Sequence, residues 1–274
     1  MNIQQITKIL TDAGIEENEA KIEIKMLLEN FCGYTDKDRI LGIKPDEVQL
    51  SVLKEKAELR AKNRIPIQYI IGKAYFMGEF FKVTPDVLIP RDETEILVIK
   101  AIEIIKEYNL ENVLDIGTGT GCIACTIAKQ TDSVVLGVDI SSDALRIALD
   151  NVTALGINNR AVFRKSDLFS KIREEEKFDM IISNPPYIPI DTELPPEVLH
   201  EPSVALFAEE NGLSIYNRIV AEAPNYLKKD GWLMFELGMG EAENVKAFMD
   251  EYFKNVTIIK DLAGIDRVIY GQVV

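Results

Sequence analysis

From residue 112 to the end of the 274-residue chain, strand-like apolar runs alternate with helical patterns, and no other feature restricts the fold as strongly. Strands are predicted at the runs NVLDIG, VVLGVDI, AVFRKSD, FDMIISN, WLMFELG, NVTIIKDL and RVIYGQVV. Helical segments such as SSDALRIALDNVTALG separate most of them, and such connections imply parallel strands in a sheet with both faces covered. The short loop between the last two strands implies one antiparallel strand. We therefore predict an α/β fold with a seven-stranded, mostly parallel sheet.

The first 91 residues have a different pattern, which predicts two further parts of the chain. Residues 1–72 place apolar side chains at helical spacing, and glycines follow the first two helical stretches as stop signals, so we predict a small helical-bundle domain. Residues 73–91 contain the aromatic-rich run AYFMGEFFKVTP, which is typical of a β-hairpin linker. The sheet domain takes residues 92–274, and we expect its first helix to begin with Asp92 as N-cap and Glu95 as capping-box partner.

Charge is unevenly divided along the chain and limits the classes of substrate. The formal net charge is −14, yet residues 1–75 hold 12 acidic and 12 basic side chains, so the acidic excess lies in residues 76–274. An acidic surface repels phosphate, which makes naked DNA or RNA a poor substrate. The sequence shows no signal peptide and no apolar run of membrane-spanning length. We therefore expect a cytoplasmic protein that binds no nucleic acid directly and no membrane.

Three segments at predicted strand ends form a candidate ligand site, because open α/β sheets bind ligands at the carboxyl ends of their strands. The first is the loop DIGTGTG, residues 115–121, whose alternate glycines allow the backbone to approach a ligand closely. The second is Asp139, which follows at the spacing of an acid that binds ribose hydroxyls. The third is Ser166-Asp167-Leu168, where a polar side chain and an apolar neighbour are placed to hold an adenine.

The glycine loop by itself does not identify the cofactor. Gly119, Gly121 and Ala124 fit the G-x-G-x-x-G/A dinucleotide pattern, and Asp139 fits its ribose acid, so a nicotinamide enzyme remains an alternative. Asp115 argues against that alternative, because its carboxylate would repel a pyrophosphate, whereas a methionine ammonium would be compatible with it.

The segment Asn184-Pro185-Pro186-Tyr187 directly follows the predicted buried strand FDMIIS and is the strongest chemical signal in the chain. The prolines fix their own φ angles and push Asn184 towards extended conformations, so a stiff loop presents the asparagine at the ligand-binding edge. The Asn184 side-chain oxygen and the Pro185 carbonyl are acceptors for the two hydrogens of an amide or aniline-like nitrogen. They would aim its lone pair at a methyl sulfonium and stabilise the charge that develops in transfer. Tyr187 is placed to stack on the planar group.

These motifs resemble those of the HemK-like, or PrmC, family of peptide chain release factor glutamine methyltransferases. The resemblance covers nearly the whole chain, through RIPIQYIIG, LIPRDETEIL, DIGTGTG, GVDIS, SDLF, SNPPYI, LHEPSVALFAEENGLSIY, WLMFELG and DLAGIDRVIYG. It implies a Rossmann-like S-adenosylmethionine-dependent methyltransferase domain. It also implies methyl transfer to the side-chain nitrogen of the glutamine in a release factor's Gly-Gly-Gln motif.

The same resemblance implies roles for individual residues. Catalysis would involve Asn184, Pro185 and Tyr187, and the substrate glutamine would be bound by these three together with Pro186. Leu168 stands where family members often have an aromatic residue, which implies dispersion rather than stacking against an adenine. Contacts to S-adenosylmethionine, which leaves as S-adenosylhomocysteine, would come from Gly117, Thr118, Gly119, Thr120, Gly121, Asp139, Asp167, Leu168 and Asn184.

Other reactive side chains and other functions compete with this interpretation. Cys122 and Cys125 have a C-x-x-C spacing, but no second pair exists for zinc, so we expect both to pack in the core and predict no metal site. His200 is expected to be a surface or loop-packing residue.

A ribosomal-protein glutamine or nucleic-acid adenine methyltransferase remains the alternative enzyme, and a non-catalytic adaptor that docks release factors is the alternative binding protein. We expect the helical domain to grip the protein substrate and the chain to be a monomer.

Overall fold

The computed structural model describes residues 2–274, which divide into two compact units. The smaller unit contains the chain up to Lys73 together with Leu194–His200. The larger unit contains Ala74–Glu193 and Glu201–Val274. A short segment from the middle of the chain is therefore built into the helical unit, and nothing in the sequence indicates this insertion.

The smaller unit is a helical bundle. Its first helix begins with a capping box, in which Asn2 and Gln5 exchange side-chain-to-backbone hydrogen bonds of 2.9 Å. Its second helix ends at Gly33, whose left-handed conformation stops the helix. The buried faces of these helices meet in one apolar core around Leu27 and Leu53. The helices are α1 (Ile3–Asp12), α2 (Glu17–Cys32), α3 (Asp36–Ile40), α4 (Glu47–Asn63) and α5 (Ile67–Ile71).

A buried ion cluster holds the inserted segment against the helices of its own unit. The Arg60 side chain, only 1% exposed, donates from Nε to both carboxylate oxygens of Glu23 at 3.0 Å and from Nη1 to Glu197 Oε1 at 2.7 Å. Arg64 Nε donates to the same Glu197 oxygen at 2.6 Å. Burial opposes ionisation of Glu197, but the bonds from Arg64 and Arg60 outweigh it and lower its pKa to about 2. At Glu23 burial is the larger effect and raises the pKa.

The larger unit begins with a two-stranded hairpin, which confirms the predicted strand pair. Within residues 2–274, one sheet has seven strands in the order β10-β11-β9-β6-β3-β4-β5, where the labels follow chain order as given below. β11 runs antiparallel to both of its neighbours, and the other pairs are parallel, so the predicted sheet is confirmed. The strands are β1 (Lys73–Phe76), β2 (Glu79–Lys82), β3 (Asn112–Ile116), β4 (Val134–Asp139), β5 (Ala161–Lys165), β6 (Phe178–Ser183), β7 (Ile188–Pro189), β8 (Phe207–Ala208), β9 (Leu227–Glu236), β10 (Phe253–Lys260) and β11 (Asp266–Val273).

The larger unit contains several α-helices. They are α6 (Asp92–Tyr108), α7 (Cys122–Gln130), α8 (Ser142–Ala154), α9 (Ser203–Leu206), α10 (Ser214–Glu222) and α11 (Ala242–Met249). All but the four-residue α9 pack on the two faces of the sheet. Met234 of β9 belongs to an apolar cluster with α6 and α7. Its neighbours Leu233 and Phe235 belong to a second cluster with α10 and α11, so alternate side chains of one strand face different cores. No helix within residues 2–274 is both long enough and apolar enough to cross a membrane.

The beginning of α6 differs from the prediction. Asp92 is the first helical residue, and Arg91 occupies the N-cap position without a side-chain hydrogen bond to the helix. Glu95 closes no capping box, because its Oε1 accepts a 2.7 Å hydrogen bond from the backbone N–H of Met77 in the hairpin turn. The predicted capping box was wrong because a tertiary contact competes for the Glu95 carboxylate.

Replacing Arg60 by alanine is expected to destabilise the helical unit by about 3–5 kcal/mol, because the Glu23 carboxylate then stays buried without its partner. Urea unfolding of the full chain, followed by the helical circular dichroism signal, measures this loss. Lys8→Ala is the matched control, since it removes the exposed Lys8–Asp12 pair of the same unit and should cost less than about 1 kcal/mol. Equal effects of the two substitutions would contradict the role assigned to Arg60.

Candidate active site

A cavity opens at the carboxyl edge of the sheet, beside the ends of β3, β4 and β6. The strand register places Ile116 of β3 opposite Val138 of β4 and Ser183 of β6, so the residues that follow these strands emerge together. Ligands of open α/β sheets bind at such an edge. The predicted site residues that line the cavity are Gly117, Gly119, Asp139, Asp167, Leu168, Asn184, Pro185 and Pro186.

The loop between β3 and α7 contributes Gly117 and Gly119 to the cavity wall. Both have left-handed backbones, with φ of 72° and 53°, which glycine adopts without steric cost. The Gly117 N–H donates to the carbonyl of Val138 at 2.9 Å, and the Gly119 N–H donates to Asp139 Oδ2 at 2.9 Å. The loop is therefore tied to the end of β4 and exposes bare backbone to a ligand.

The other three predicted loop residues lie outside the cavity wall. Thr118 and Thr120 are buried. Thr118 Oγ1 donates to Asp115 Oδ2 at 2.6 Å, and Thr120 Oγ1 accepts from the N–H of Cys122 at 3.3 Å. Gly121 is the N-cap of α7. These residues shape the loop, and their direct contact with a cofactor stays a prediction.

Asp139 closes β4 and presents a carboxylate to the cavity. Its Oδ2 accepts from the Gly119 N–H at 2.9 Å and its Oδ1 from the Ser141 N–H at 2.8 Å. Burial raises the pKa of Asp139, and the backbone hydrogen bonds from Ser141 and Gly119 act in the opposite direction. Each carboxylate oxygen has more than one acceptor position, so the side chain remains suited to accept hydroxyl protons from a ribose.

Asp115 lies fully buried at the end of β3 and does not line the cavity. Burial raises its pKa to about 7, although the hydrogen bond from Thr118 lowers it. A carboxyl group that is partly protonated near neutral pH repels a nearby anion less than a full charge does. The charge of Asp115 is therefore a weaker argument against a pyrophosphate than the sequence suggested.

The segment after β5 forms another wall of the cavity. Leu168 has a left-handed backbone with φ of 45°, which is strained for a residue other than glycine. Ser166 Oγ holds this turn, since it donates to the Leu168 carbonyl at 2.7 Å and accepts from the Lys171 N–H at 3.0 Å. Asp167 pairs with Arg218 of α10 at 3.0 Å, and both side chains line the cavity. A charged and an apolar side chain therefore lie next to each other at this wall.

Residues 184–187, here called the acceptor loop, follow β6 directly. Asn184, Pro185 and Pro186 line the cavity. Asn184 Nδ2 donates to Thr94 Oγ1 at 3.2 Å, which leaves Oδ1 as the acceptor on the other side of the amide. The predicted pair of acceptors, one side-chain oxygen and one proline carbonyl, therefore belongs to a loop at the cavity edge.

Tyr187 lies beside this cavity and not in its wall. It lines an adjoining pocket together with Gly238 and Glu241. A Cβ atom at Gly238 would lie 2.8 Å from Tyr187 Cδ2, so the glycine permits the ring to pack closely. Burial raises the pKa of Tyr187 to about 12, which keeps the phenol neutral. Stacking of Tyr187 on a substrate stays a prediction.

Two buried polar residues behind the acceptor loop were not among the predicted site residues. Thr94 and Glu236 are 2% and 1% exposed, and Thr94 Oγ1 donates to Glu236 Oε2 at 2.6 Å. Glu236 ends β9, so its position at a strand's carboxyl end was a usable signal in the sequence. Thr94 in the first turn of α6 and Arg218 on α10 have no comparable signal, because only the fold brings their helices to this edge.

The residues set aside as non-functional lie away from the cavity wall. Cys122 and Cys125 are buried in the apolar core, where burial raises the pKa of both thiols, that of Cys122 to about 12. His200 belongs to the smaller unit, and its Nε2 lies 2.7 Å from the carbonyl oxygen of Asn63.

The chemistry of the cavity fits an adenosyl cofactor with a methionine tail. Asp139 offers acceptors to ribose hydroxyls, Leu168 offers an apolar surface to a base, and the glycine loop permits close approach of the backbone. Asp115 Oδ1 has no hydrogen-bond partner within the described chain. Because Asp115 lies outside the cavity wall, an ordered water is the normal partner for a buried acceptor of this kind.

Comparison with known proteins identifies relatives over nearly the full chain. A protein-family model for the methyltransferase small domain matches residues 93–201. The release factor glutamine methyltransferase of Geobacter sulfurreducens is 40% identical over 275 residues, covering 96% of this chain and 93% of that protein. The release factor glutamine methyltransferase of Clostridium acetobutylicum is 40% identical over 260 residues, covering 92% of this chain and 91% of that protein. That of Fusobacterium nucleatum is 43% identical over 80% of this chain, but the match spans only 63% of that protein.

Solved structures of lower identity show the same fold. The catalytic domain of METTL16 in complex with an RNA hairpin has a TM-score of 0.57 at 16% identity and covers 79% of this chain and 81% of that one. The 16S rRNA methyltransferase RsmC of T. thermophilus has a TM-score of 0.55 at 18% identity, and the match covers 74% of this chain and 50% of that one. At these identities the likeness concerns the fold alone.

The identities of about 40% over most of the chain decide between the two cofactor classes that the glycine pattern left open. A nicotinamide enzyme is excluded. The chain belongs to the release factor glutamine methyltransferase family, which consists of S-adenosylmethionine-dependent enzymes.

Proposed function

We propose that this protein transfers a methyl group from S-adenosylmethionine to the side-chain amide nitrogen of the glutamine in the Gly-Gly-Gln motif of a peptide chain release factor. The observation that carries the proposal is the acceptor loop, a proline-stiffened pair of acceptors at the edge of the cavity. Membership of the release factor glutamine methyltransferase family supports the same reaction.

The cofactor would be held by the residues that line the cavity around the strand ends. Asp139 would accept the ribose hydroxyls, Asp167 and Leu168 would border the adenine, and Gly117 and Gly119 would approach the methionine part through their backbones. When bound, S-adenosylmethionine supplies an electrophilic methyl group on a sulfonium.

The acceptor loop would activate a weak nucleophile by orientation and charge stabilisation. The lone pair of an amide nitrogen is delocalised, so its two hydrogens must be held for the lone pair to point at the methyl group. Asn184 Oδ1 and the Pro185 carbonyl would bind one hydrogen each and stabilise the positive charge that develops on the nitrogen. No strong base is needed in this scheme if the proton leaves after the methyl group has transferred. Tyr187 would contact the glutamine side chain from its neighbouring pocket.

The proposal extends to the compartment, the oligomeric state and the helical unit. We propose a cytoplasmic monomer whose helical unit grips the release factor, because a single glutamine side chain offers little binding area. Exposed apolar side chains around the loop between α3 and α4 support this role, since a cluster of this kind marks a protein-binding surface. They are Ile40, Leu41, Ile43 and Val48, which are 82%, 63%, 50% and 73% exposed.

The reaction is tested by incubating the purified chain with labelled S-adenosylmethionine and a release factor, followed by mass spectrometry of the Gly-Gly-Gln peptide. We expect a gain of one methyl group on the glutamine, and no label when that glutamine is replaced by alanine. Label that survives this replacement would favour the ribosomal-protein or nucleic-acid alternative. A wild-type chain that binds the release factor without labelling it would favour the adaptor.

Asp139→Asn is expected to weaken S-adenosylmethionine binding about 10- to 100-fold, because hydrogen bonds to a charged acceptor contribute about 1.5–3 kcal/mol each. Isothermal titration calorimetry measures the Kd. Asp143→Asn is the control, since Asp143 is an exposed residue in the first turn of α8, just beyond the same strand. An unchanged Kd in Asp139→Asn would contradict the role of this carboxylate.

Replacing both Ile40 and Val48 by serine is expected to raise the KM for the release factor at least about 10-fold, because the helical unit loses apolar contact area. The Kd of S-adenosylmethionine should not change, since the cofactor site belongs to the larger unit. Val134→Ser and Val162→Ser, at exposed positions of β4 and β5, provide the control double variant. An unchanged KM would reject this surface as a docking site while leaving the reaction itself intact.

A further inference from the structure

Three polar side chains from separate parts of the larger unit meet where the acceptor loop begins. Asn184 comes from the end of β6, Thr94 from the first turn of α6, and Glu236 from the end of β9. Asn184 Nδ2 donates to Thr94 Oγ1 at 3.2 Å, and Thr94 Oγ1 donates to Glu236 Oε2 at 2.6 Å. Burial of a carboxylate is costly unless it is hydrogen-bonded, so the two buried members of this chain, Thr94 and Glu236, call for a physical explanation.

The charge on Glu236 sets the direction of both hydrogen bonds. An ionised carboxylate only accepts, so the single hydroxyl proton of Thr94 must point at Glu236. The Thr94 oxygen then faces Asn184 with lone pairs alone and can bind only the NH₂ end of its amide. The two ends of an asparagine amide have nearly the same shape, and the hydrogen-bond network alone distinguishes them. The flipped amide would place Asn184 Oδ1 against another acceptor, so Oδ1 is directed away from Thr94.

We propose that Glu236 and Thr94 are positioning residues, which fix the Asn184 amide so that its Oδ1 faces the substrate nitrogen. This inference rests on the proposed function, in which Asn184 Oδ1 accepts a hydrogen from the glutamine amide. A flipped amide would offer an NH₂ group to the NH₂ group of the substrate, and two donors cannot bind each other. Neither Glu236 nor Thr94 touches the reacting atoms in this scheme, and both act through Asn184.

Protonation of Glu236 would release this constraint. A protonated carboxyl group can donate to Thr94, whose own proton then becomes free to bind Asn184 Oδ1 in the flipped orientation. Burial raises the pKa of Glu236 to about 7. The hydrogen bond from Thr94, the charge of Arg267 and the NH₂ group of Asn184 lower this pKa, whereas the charge of Glu93 raises it. The ionised form is the one that orients Asn184, so the rate should fall as the pH decreases through about 7.

Besides Glu93 and Arg267, three titratable groups that interact with Glu236 are neutral near this pH. Burial raises the pKa of Tyr187 in the acceptor loop and of Cys122 on α7 to about 12, and it raises that of Tyr216 on α10 well above its usual value. Asp115 near the end of β3 and Glu241 at the N-cap of α11 have a pKa raised to about 7 by burial, so both titrate in the same pH range. A pH profile of the wild type therefore does not assign the titration by itself, and variants of Glu236 and Thr94 are needed.

A matched pair of substitutions at Thr94 tests the proposal. Thr94→Val keeps the shape and removes the hydroxyl, whereas Thr94→Ser keeps the hydroxyl. We expect Thr94→Val to lower kcat at least about 10-fold, less than the about 10²–10³-fold cost of deleting a transition-state hydrogen bond outright, and Thr94→Ser to stay within about 3-fold of wild type. The kcat of Asn184→Ala, which lacks the side-chain amide altogether, gives the lower limit for the kcat of Thr94→Val. The Kd of S-adenosylmethionine, measured by calorimetry, should change less than about 3-fold in both Thr94 variants.

Glu236→Gln tests the charge. Its amide can donate to Thr94 as well as accept, so we expect a lower kcat and loss of the decrease in rate below pH 7. The proposal is overturned if Thr94→Val keeps the wild-type kcat, or if Glu236→Gln keeps both the kcat and the pH dependence. Should Glu236→Gln fail to fold, the Thr94 pair still decides. A wild type that does not methylate the release factor would reject the proposed function, whereas an active wild type with an unaffected Thr94→Val rejects this inference alone.

Discussion

The register of β3 against β4 and β6 is the constraint on which the site depends. It places Ile116, Val138 and Ser183 side by side, so the glycine loop, Asp139 and Asn184 leave the sheet at one edge. The register of β6 with β9 extends the same edge towards Glu236. Because side chains alternate along a strand, a slip of one residue would turn each of these groups to the opposite face. The apolar clusters on both faces of the sheet oppose such a slip, so core packing and site geometry are set together.

Two buried carboxyl groups lie near the site, and each accepts a hydrogen bond from a threonine hydroxyl. Asp115 is held by Thr118 and keeps one oxygen without a partner, whereas Glu236 is held by Thr94 and, through it, by Asn184. Burial raises the pKa of both to about 7. A fold gains no stability from burying a carboxyl group without a counter-ion. The orientation of ligand-binding groups gives a reason for keeping them. In the helical unit, Glu197 has a counter-ion, because it forms an ion pair with Arg60. This ion pair attaches the inserted segment to the helices.

Much of the fold was predictable because its signals are local. The seven strands, the hairpin and the position of Asn184 after a buried strand all follow from apolar patterning and proline within short windows. The capping box at Asp92 was also a local prediction, and it failed because Glu95 has a partner in the hairpin turn. Local sequence patterns indicate the secondary structure and capping that a segment would adopt by itself. They do not report competition from groups that are distant in sequence and near in space.

The sequence by itself determined the fold class, the family and the groups that could accept hydrogens from a substrate nitrogen. Periodicity specifies strands and helices, and the acceptor loop carries its chemistry in four adjacent residues. Only the tertiary structure decided which end of the Asn184 amide points at the cavity. That orientation depends on Thr94 and Glu236, which lie 90 residues before and 52 residues after Asn184 in the chain. An amide has two nearly identical orientations, and only neighbours assembled by folding distinguish them.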